Sequence, residues 1–152
     1  IVQDARKINE HMPQHVIELT IDAFKESGKS LENSEILILG VSYKPDVKDI
    51  QLTPAEHIIK KLQLLGSKIH IYDPYFSGNE IFGITAEKSL DDIIGKVNAS
   101  SIVTAHKEFR KIKTEFFKKM KTPILIDTRG IIDPASAKYD KLIFRGLGRG
   151  NL

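Results

Sequence analysis

Apolar residues recur every three or four positions from Val2 to about Lys29, at Ala5, Ile8, Met12, Val16, Leu19, Ala23 and Phe24, and predict one long amphipathic helix. Pro13 lies inside that run and lacks a backbone donor, so the pattern fits either a kinked helix or two helices meeting between Asn9 and Pro13, with Gly28 as the stop. The period then changes. Ile36-Leu37-Ile38-Leu39 is a short unbroken apolar run closed by Gly40, which fits a central parallel strand. Thr53 can cap a helix starting at Pro54, where a missing N–H leaves nothing unpaired, and Ala55, Ile58, Ile59, Leu62 and Leu65 share its inner face up to Gly66. Ser67 to Asp73 alternates as a second strand, completing a β-α-β unit whose crossover should be right-handed.

Further along, Ile84 to Ala86 reads as a short edge strand and Leu90 to Ile94 as a short helix stopped near Gly95. Ser101 to His106 reads as a strand, Phe109 to Met120 as a basic amphipathic helix, and Ile124 to Arg129 and Leu142 to Arg145 as the last strands. Alternating β and α segments predict an α/β fold: a Rossmann-like three-layer domain with a parallel sheet over residues 31–152, preceded by a connecting helix over residues 1–30.

Composition narrows the classes. A chain of 152 residues with 41% hydrophobic content can bury one core. With no cysteine there are no disulfides, thiolate zinc sites or cysteine nucleophiles in this chain. The net charge of +3 comes from scattered lysines, a poor fit to a nucleic-acid face. No apolar run approaches the roughly 20 residues of a membrane span. A soluble chain without nucleic-acid or membrane partners is expected. It opens on Ile1 in a helical pattern, as a piece of a longer polypeptide would.

Four loops should leave the carboxyl edge of the sheet together: Gly40 to Asp49, Asp73 to Tyr75, Ala105 to Lys107 and Thr128 to Gly130. In open α/β sheets that edge is where ligands bind. Lys44 and Arg129 are the cations best placed for phosphate oxygens, and Tyr43 offers a stacking face for a base or ribose. The competing reading makes both cations solvated loop charges paired with Asp46 or Asp127. The first loop has only Gly40 before Tyr43, short of the Gly-x-Gly-x-x-Gly fingerprint, so this domain is not expected to hold a dinucleotide alone. Arg145 to Gly150 offers backbone and two cations, with a frayed basic tail as the plainer reading. His11 and His15 lie one helical turn apart without a zinc-protease signature, and no metal set emerges. His106 ends a strand near the expected crevice, with a structural role as its default. Ser42 lacks the flanking glycines of a nucleophile elbow, and Asp46 and Asp49 fit loop capping better than metal binding.

Gly40-Val41-Ser42-Tyr43-Lys44-Pro45-Asp46-Val47-Lys48-Asp49 followed by Thr53-Pro54-Ala55 closely resembles the opening of the C-terminal domain of nucleotide-sugar dehydrogenases, the UDP-glucose and UDP-N-acetylmannosamine dehydrogenase superfamily. The likeness extends through Ala5 to Pro13, similar to that family's central helix, and through Tyr72-Asp73-Pro74-Tyr75 and Asp127-Thr128-Arg129-Gly130. It implies a cytoplasmic, NAD-dependent, metal-free enzyme of polysaccharide biosynthesis that oxidises a sugar C6 alcohol to a carboxylate in two steps. It also implies that NAD and the catalytic cysteine belong to an N-terminal domain absent from this chain, which would be inactive alone. Residues 31–152 would then bind the UDP end of the substrate through Tyr43, Lys44 and Arg129, and residues 1–30 would form much of a homodimer contact. Gln51 stands where the family commonly has an arginine that reaches NAD, a charge glutamine does not supply and Lys48 is a candidate to replace. The Tyr-Lys-Pro-Asp loop and the Phe-Arg-Gly-Leu-Gly-Arg-Gly ending look more like the N-acetylated hexosamine branch than the UDP-glucose branch. A noncatalytic nucleotide-binding or dimerisation module is the alternative from a different class.

Overall fold

The computed structural model describes residues 2–146 and 150–151, with side chains over 12–146. A single helix α1 (Val2–Ser27) runs through Pro13 and leads to β1 (Glu35–Leu39). Thr53 caps α2 (Pro54–Leu64), its hydroxyl accepting from the Ala55 amide at 3.3 Å, and β2 (Lys68–Tyr72) follows. Then come β3 (Glu80–Ile81), β4 (Ile84–Thr85), α3 (Leu90–Ile94), β5 (Ala99–Ile102), α4 (Lys107–Arg110), β6 (Ile124–Asp127), α5 (Pro134–Tyr139), β7 (Ile143–Gly146) and β8 (Gly150–Asn151). The main sheet has the order β2-β1-β5-β6-β7-β8, parallel throughout except for the antiparallel pair β7–β8. The α/β class is as the alternation predicted.

Side-chain alternation divides the core into two layers, because neighbouring residues of a strand point to opposite faces. Ile36, Ile38, Ile124 and Ile126 pack with Val16, Ile17 and Phe24 of α1 and Ile58, Ile59 and Leu62 of α2. Leu37, Leu39 and Leu125 face the other way, against Ile93, Ile94, Phe109, Phe117 and Phe144. Arg145, only 4% exposed, fastens β7 to α1 by donating from Nε to Asp22 at 3.1 Å and from a terminal nitrogen to Glu26 at 2.5 Å. Burial lowers the Arg145 pKa, but hydrogen bonds and attraction from those two carboxylates outweigh it, so the net direction is upward.

Four local readings change. The segment 109–120 is not one helix: α4 ends at Arg110, and a separate 3-10 turn spans Thr114–Lys119. Thr114 donates its hydroxyl to Asp140 at 2.5 Å, so a tertiary partner competes with helix continuation. Ile84 and Thr85 pair with Glu80 and Ile81 in a separate two-stranded hairpin instead of extending the main sheet. β5 begins at Ala99 and ends at Ile102, so His106 lies beyond the strand at the start of α4. Helix α5 escaped the periodicity reading, although Asp133-Pro134 repeats the cap-proline arrangement of Thr53-Pro54, Asp133 accepting from the Ala135 amide at 3.3 Å. The inner-face assignments of Ala5 and Ile8, and Arg149 in the basic tail, lie outside the described side chains.

Candidate functional site: the carboxyl edge of the sheet

The parallel strands end level. Tyr72, Leu39, Ile102, Asp127 and Gly146 occupy one row of the register, so the residues after them emerge at one edge. Backbone bonds extend the row as a staircase: the Gly40 amide donates to Tyr72 at 3.0 Å, Val103 to Leu39 at 2.9 Å and Thr128 to Ile102 at 3.1 Å. Gly40 has φ +91°, and a Cβ there would lie 2.6 Å from the Thr104 Cβ and 2.9 Å from its amide nitrogen. Only glycine combines that backbone angle with so close a neighbour.

Tyr43, Lys44 and Gln51 are exposed on the loop that begins there, Tyr43 at 42%. The loop is tied from below. Thr104 donates its hydroxyl to the Ser42 carbonyl at 2.7 Å, the Val41 amide donates to Asp73 at 2.8 Å, and the Tyr43 amide donates to the Asp49 carbonyl at 2.6 Å. Gln51 sits in a tight turn whose amide donates to the Asp49 carboxylate at 2.9 Å, and exposed Leu52 beside it has φ +58°. The Lys48 ammonium lies 5.5 Å from the centre of the Phe76 ring.

Arg129 arrives two strands away on the same edge. Its Nε donates to the Val103 carbonyl at 2.7 Å, aligning the guanidinium while its terminal nitrogens make no ion pair among the described residues. Burial of its surroundings pulls the Arg129 pKa down, yet its side chain retains solvent access and a guanidinium stays charged at neutral pH. The carboxylates proposed as its neutralising partners are engaged elsewhere. Asp127 accepts the amides of Arg129, Gly130 and Ile132 at 3.0, 2.9 and 2.8 Å, and Asp46 accepts the Lys107 amide at 2.8 Å. Lys44 and Arg129 are therefore two cations on the loops that follow β1 and β6 at one edge of the sheet, with Tyr43 next to Lys44 in the chain.

Beneath this surface lies a pair that sequence reasoning left unpaired. Asp73 and His106 are both 0% exposed, and His106 Nε2 donates to Asp73 at 2.9 Å while its Nδ1 accepts the Asp46 amide at 2.8 Å. Asp73 also receives the amides of Val41 and Tyr75 and lies 3.4 Å from the Ser42 hydroxyl. Burial raises the Asp73 pKa, but hydrogen bonds from His106, Val41 and Tyr75 more than offset it and hold the carboxyl below its ordinary value. The signal was present as polar residues placed directly after β2 and just beyond β5, without any indication of which partner each would find. Ser42 is wholly buried.

An open cavity of about 510 Å³ lies off this loop, between the 3-10 turn and α5, lined by Lys113, Thr114, Asp133, Ser136, Tyr139 and Asp140 among others. None of Tyr43, Lys44, Gln51 or Arg129 lines it. In the β1–α2 turn the Val41 amide donates to Asp73, and Gly40 is the one glycine before Tyr43. No group of three or more histidines or acids among the described residues is arranged to hold a metal, and no described helix is long and apolar enough to cross a membrane.

A level parallel sheet flanked by helices, with polar loops at its carboxyl edge, defines an α/β Rossmann-like class of domain, in which ligands bind at that edge. The chain belongs, more narrowly, to the UDP-glucose/GDP-mannose dehydrogenase family, whose UDP binding domain model matches residues 37–134. It is 30% identical to a UDP-N-acetyl-D-mannosamine dehydrogenase of Pyrococcus horikoshii, over 100% of this chain and 34% of that protein. The UDP-D-ManNAc dehydrogenase structure from Pyrococcus horikoshii superposes with a TM-score of 0.85 at 29% identity, covering 99% of this chain and 34% of that one. A UDP-glucose 6-dehydrogenase of Rhizobium meliloti is 31% identical over 81% of this chain and 29% of its own length. The chain thus spans about a third of the length of the relatives it matches.

Proposed function

We propose that this chain is the UDP-binding, C-terminal part of an NAD-dependent UDP-N-acetyl-D-mannosamine 6-dehydrogenase, a cytoplasmic enzyme of polysaccharide biosynthesis that converts a sugar C6 alcohol to a carboxylate. The observation that carries the reading is the convergence of Tyr43, Lys44 and Arg129 on one edge of the sheet, with neither cation neutralised by Asp46 or Asp127. Lys44 and Arg129 grip the diphosphate, Arg129 with its aligned fork and Lys44 as a compact charge, and Tyr43 borders the nucleoside. Holding the nucleotide this way sets the position of the sugar at the other end of the substrate, so binding far from the reacting carbon assists the reaction there. NAD is held by a domain outside this chain. Gln51 leaves one cation fewer on this wall of the cleft, and Lys48, drawn toward Phe76, is the nearest replacement in sequence. Residues 1–30 form the contact of a homodimer, and residues 31–152 form the nucleotide domain.

Calorimetric titration of the full chain with UDP tests the assignment. Lys44→Ala and Arg129→Ala are each expected to weaken binding by about 1.5–3 kcal/mol, the worth of hydrogen bonds to a charged group. Unchanged affinity in both variants would refute the reading. Oxidation of a panel of UDP-sugars by the intact enzyme, followed by NAD reduction, separates the N-acetylmannosamine assignment from UDP-glucose or UDP-N-acetylglucosamine.

A further inference from the structure

We infer that His106 is a positioning residue for nucleotide binding: as the Nε2–H tautomer it links buried Asp73 to the Asp46 amide and holds the loop bearing Tyr43 and Lys44 in its binding conformation. The inference deepens the UDP-binding reading and rests on it. A neutral imidazole has one donor and one acceptor, and here each has a single partner that fits. Asp73 is a carboxylate that already accepts backbone amides, so Nε2 must supply the proton of the 2.9 Å bond. Nδ1 is left as an acceptor, and the Asp46 amide donates to it at 2.8 Å.

That second bond lies at a demanding point of the loop. Asp46 has φ +61°, an angle disfavoured for a side-chain-bearing residue, and it follows Lys44-Pro45 directly. The Asp46 carboxylate in turn accepts the Lys107 amide at 2.8 Å, so the loop and the start of α4 clasp each other at two points. The ring itself has little freedom, being fully buried with ring centres of Tyr75 at 4.8 Å and Phe109 at 5.5 Å. Exposed Lys44 thus stands on a strained turn whose shape is set by a buried histidine 60 residues away from Asp46.

Two substitutions divide the histidine into its halves. In His106→Asn the amide oxygen takes the place of Nδ1 and can accept from Asp46, while the link to Asp73 is lost. In His106→Gln the amide nitrogen takes the place of Nε2 and can donate to Asp73, while the link to Asp46 is lost. UDP titration and thermal unfolding of the full chain are compared for both, with hydrogen exchange at the Asp46 amide. His106→Gln is expected to weaken UDP binding by about tenfold, as when only a tenth of molecules hold the competent loop, and to speed Asp46 exchange. His106→Asn is expected to bind more tightly than His106→Gln although it unfolds at a lower temperature. Affinity that follows melting temperature across the two variants would overturn the inference, because a purely structural histidine predicts that order. Wild-type protein supplies an arm that needs no substitution: slow Asp46 exchange beside fast-exchanging neighbours, and an imidazole ¹⁵N spectrum with the proton on Nε2, support the tether, and the opposite of either overturns it. Failure of wild-type protein to bind UDP would instead remove the nucleotide reading and with it the role in binding, leaving the tether to be judged by exchange alone.

Discussion

Each edge of the sheet carries a histidine–carboxylate pair at 2.9 Å, Asp73–His106 at the carboxyl edge and Glu35–His70 at the amino edge. The bond lengths match, but the surroundings differ. The side chains of Asp73 and His106 are 0% exposed, whereas those of Glu35 and His70 are 29% and 14% exposed, with Lys121 3.9 Å from Glu35. The amino-edge pair joins neighbouring strands β1 and β2 and extends only to the exposed Lys121 ammonium. The carboxyl-edge pair continues through Nδ1 into the backbone of a loop that carries a candidate ligand surface. Equal geometry therefore does not mean equal consequence: water stands in for a lost partner at one edge and is excluded at the other.

Substitutions at the two edges should separate accordingly. The largest effect is expected from Gly40→Val, which places a branched side chain at φ +91° against Thr104 and should lower stability by roughly 4 kcal/mol in urea denaturation. Asp73→Asn follows at about 2–3 kcal/mol, since it removes the charge that accepts from His106, Val41 and Tyr75. The pH dependence has a definite sign. Asp73 has a folded pKa below its ordinary 3.8, so its contribution is complete above that value and is lost as pH falls through the folded pKa. Stability curves of wild type and Asp73→Asn should accordingly converge in acid, and curves that stay parallel below pH 4 would contradict the assignment.

Lys44→Ala should act on UDP affinity while leaving stability within about 0.5 kcal/mol, as expected of an exposed cation outside the core, whereas Arg129→Ala should also lower stability by about 1 kcal/mol because its Nε donates to the Val103 carbonyl. The smallest effect belongs to the amino edge. The hydrogen bond from His70 lowers the Glu35 pKa more than its partial burial raises it, with His70, Lys121 and Lys68 adding charge attraction. Its contribution is present above about pH 4.5 and fades as pH falls, but partial exposure limits Glu35→Gln to about 1 kcal/mol or less. A loss there as large as that of Asp73→Asn would erase the contrast between the edges.

Much of the fold was legible because burial dictates pattern. The unbroken run Ile36 to Leu39 could only be satisfied by covering both faces, and the structure covers them with separate clusters. The Thr53-Pro54 cap and the stop at Gly66 bracketed α2 closely because both act locally. Phe109 to Met120 misled for the opposite reason: its spacing suits a helix, while Thr114 answers to Asp140, 26 residues away. The candidate site divides along the same line. Tyr43, Lys44 and Arg129 could be picked out as polar residues following strands, but His106 looked like one more structural histidine because neither of its partners is near it in sequence.

The order and spacing of apolar and turn residues were enough by themselves to determine the alternating α/β plan and the edge at which its loops emerge, since both follow from short-range periodicity and parallel connection. Only the tertiary structure decided which polar side chains are sealed from water and joined. Asp73 and His106 are 33 residues apart, and the strength of their bond depends on surrounding atoms supplied by the loops after β1 and β2 and by α4 together. Exclusion of water is a property of the packed assembly, so no run of neighbouring residues encodes it alone.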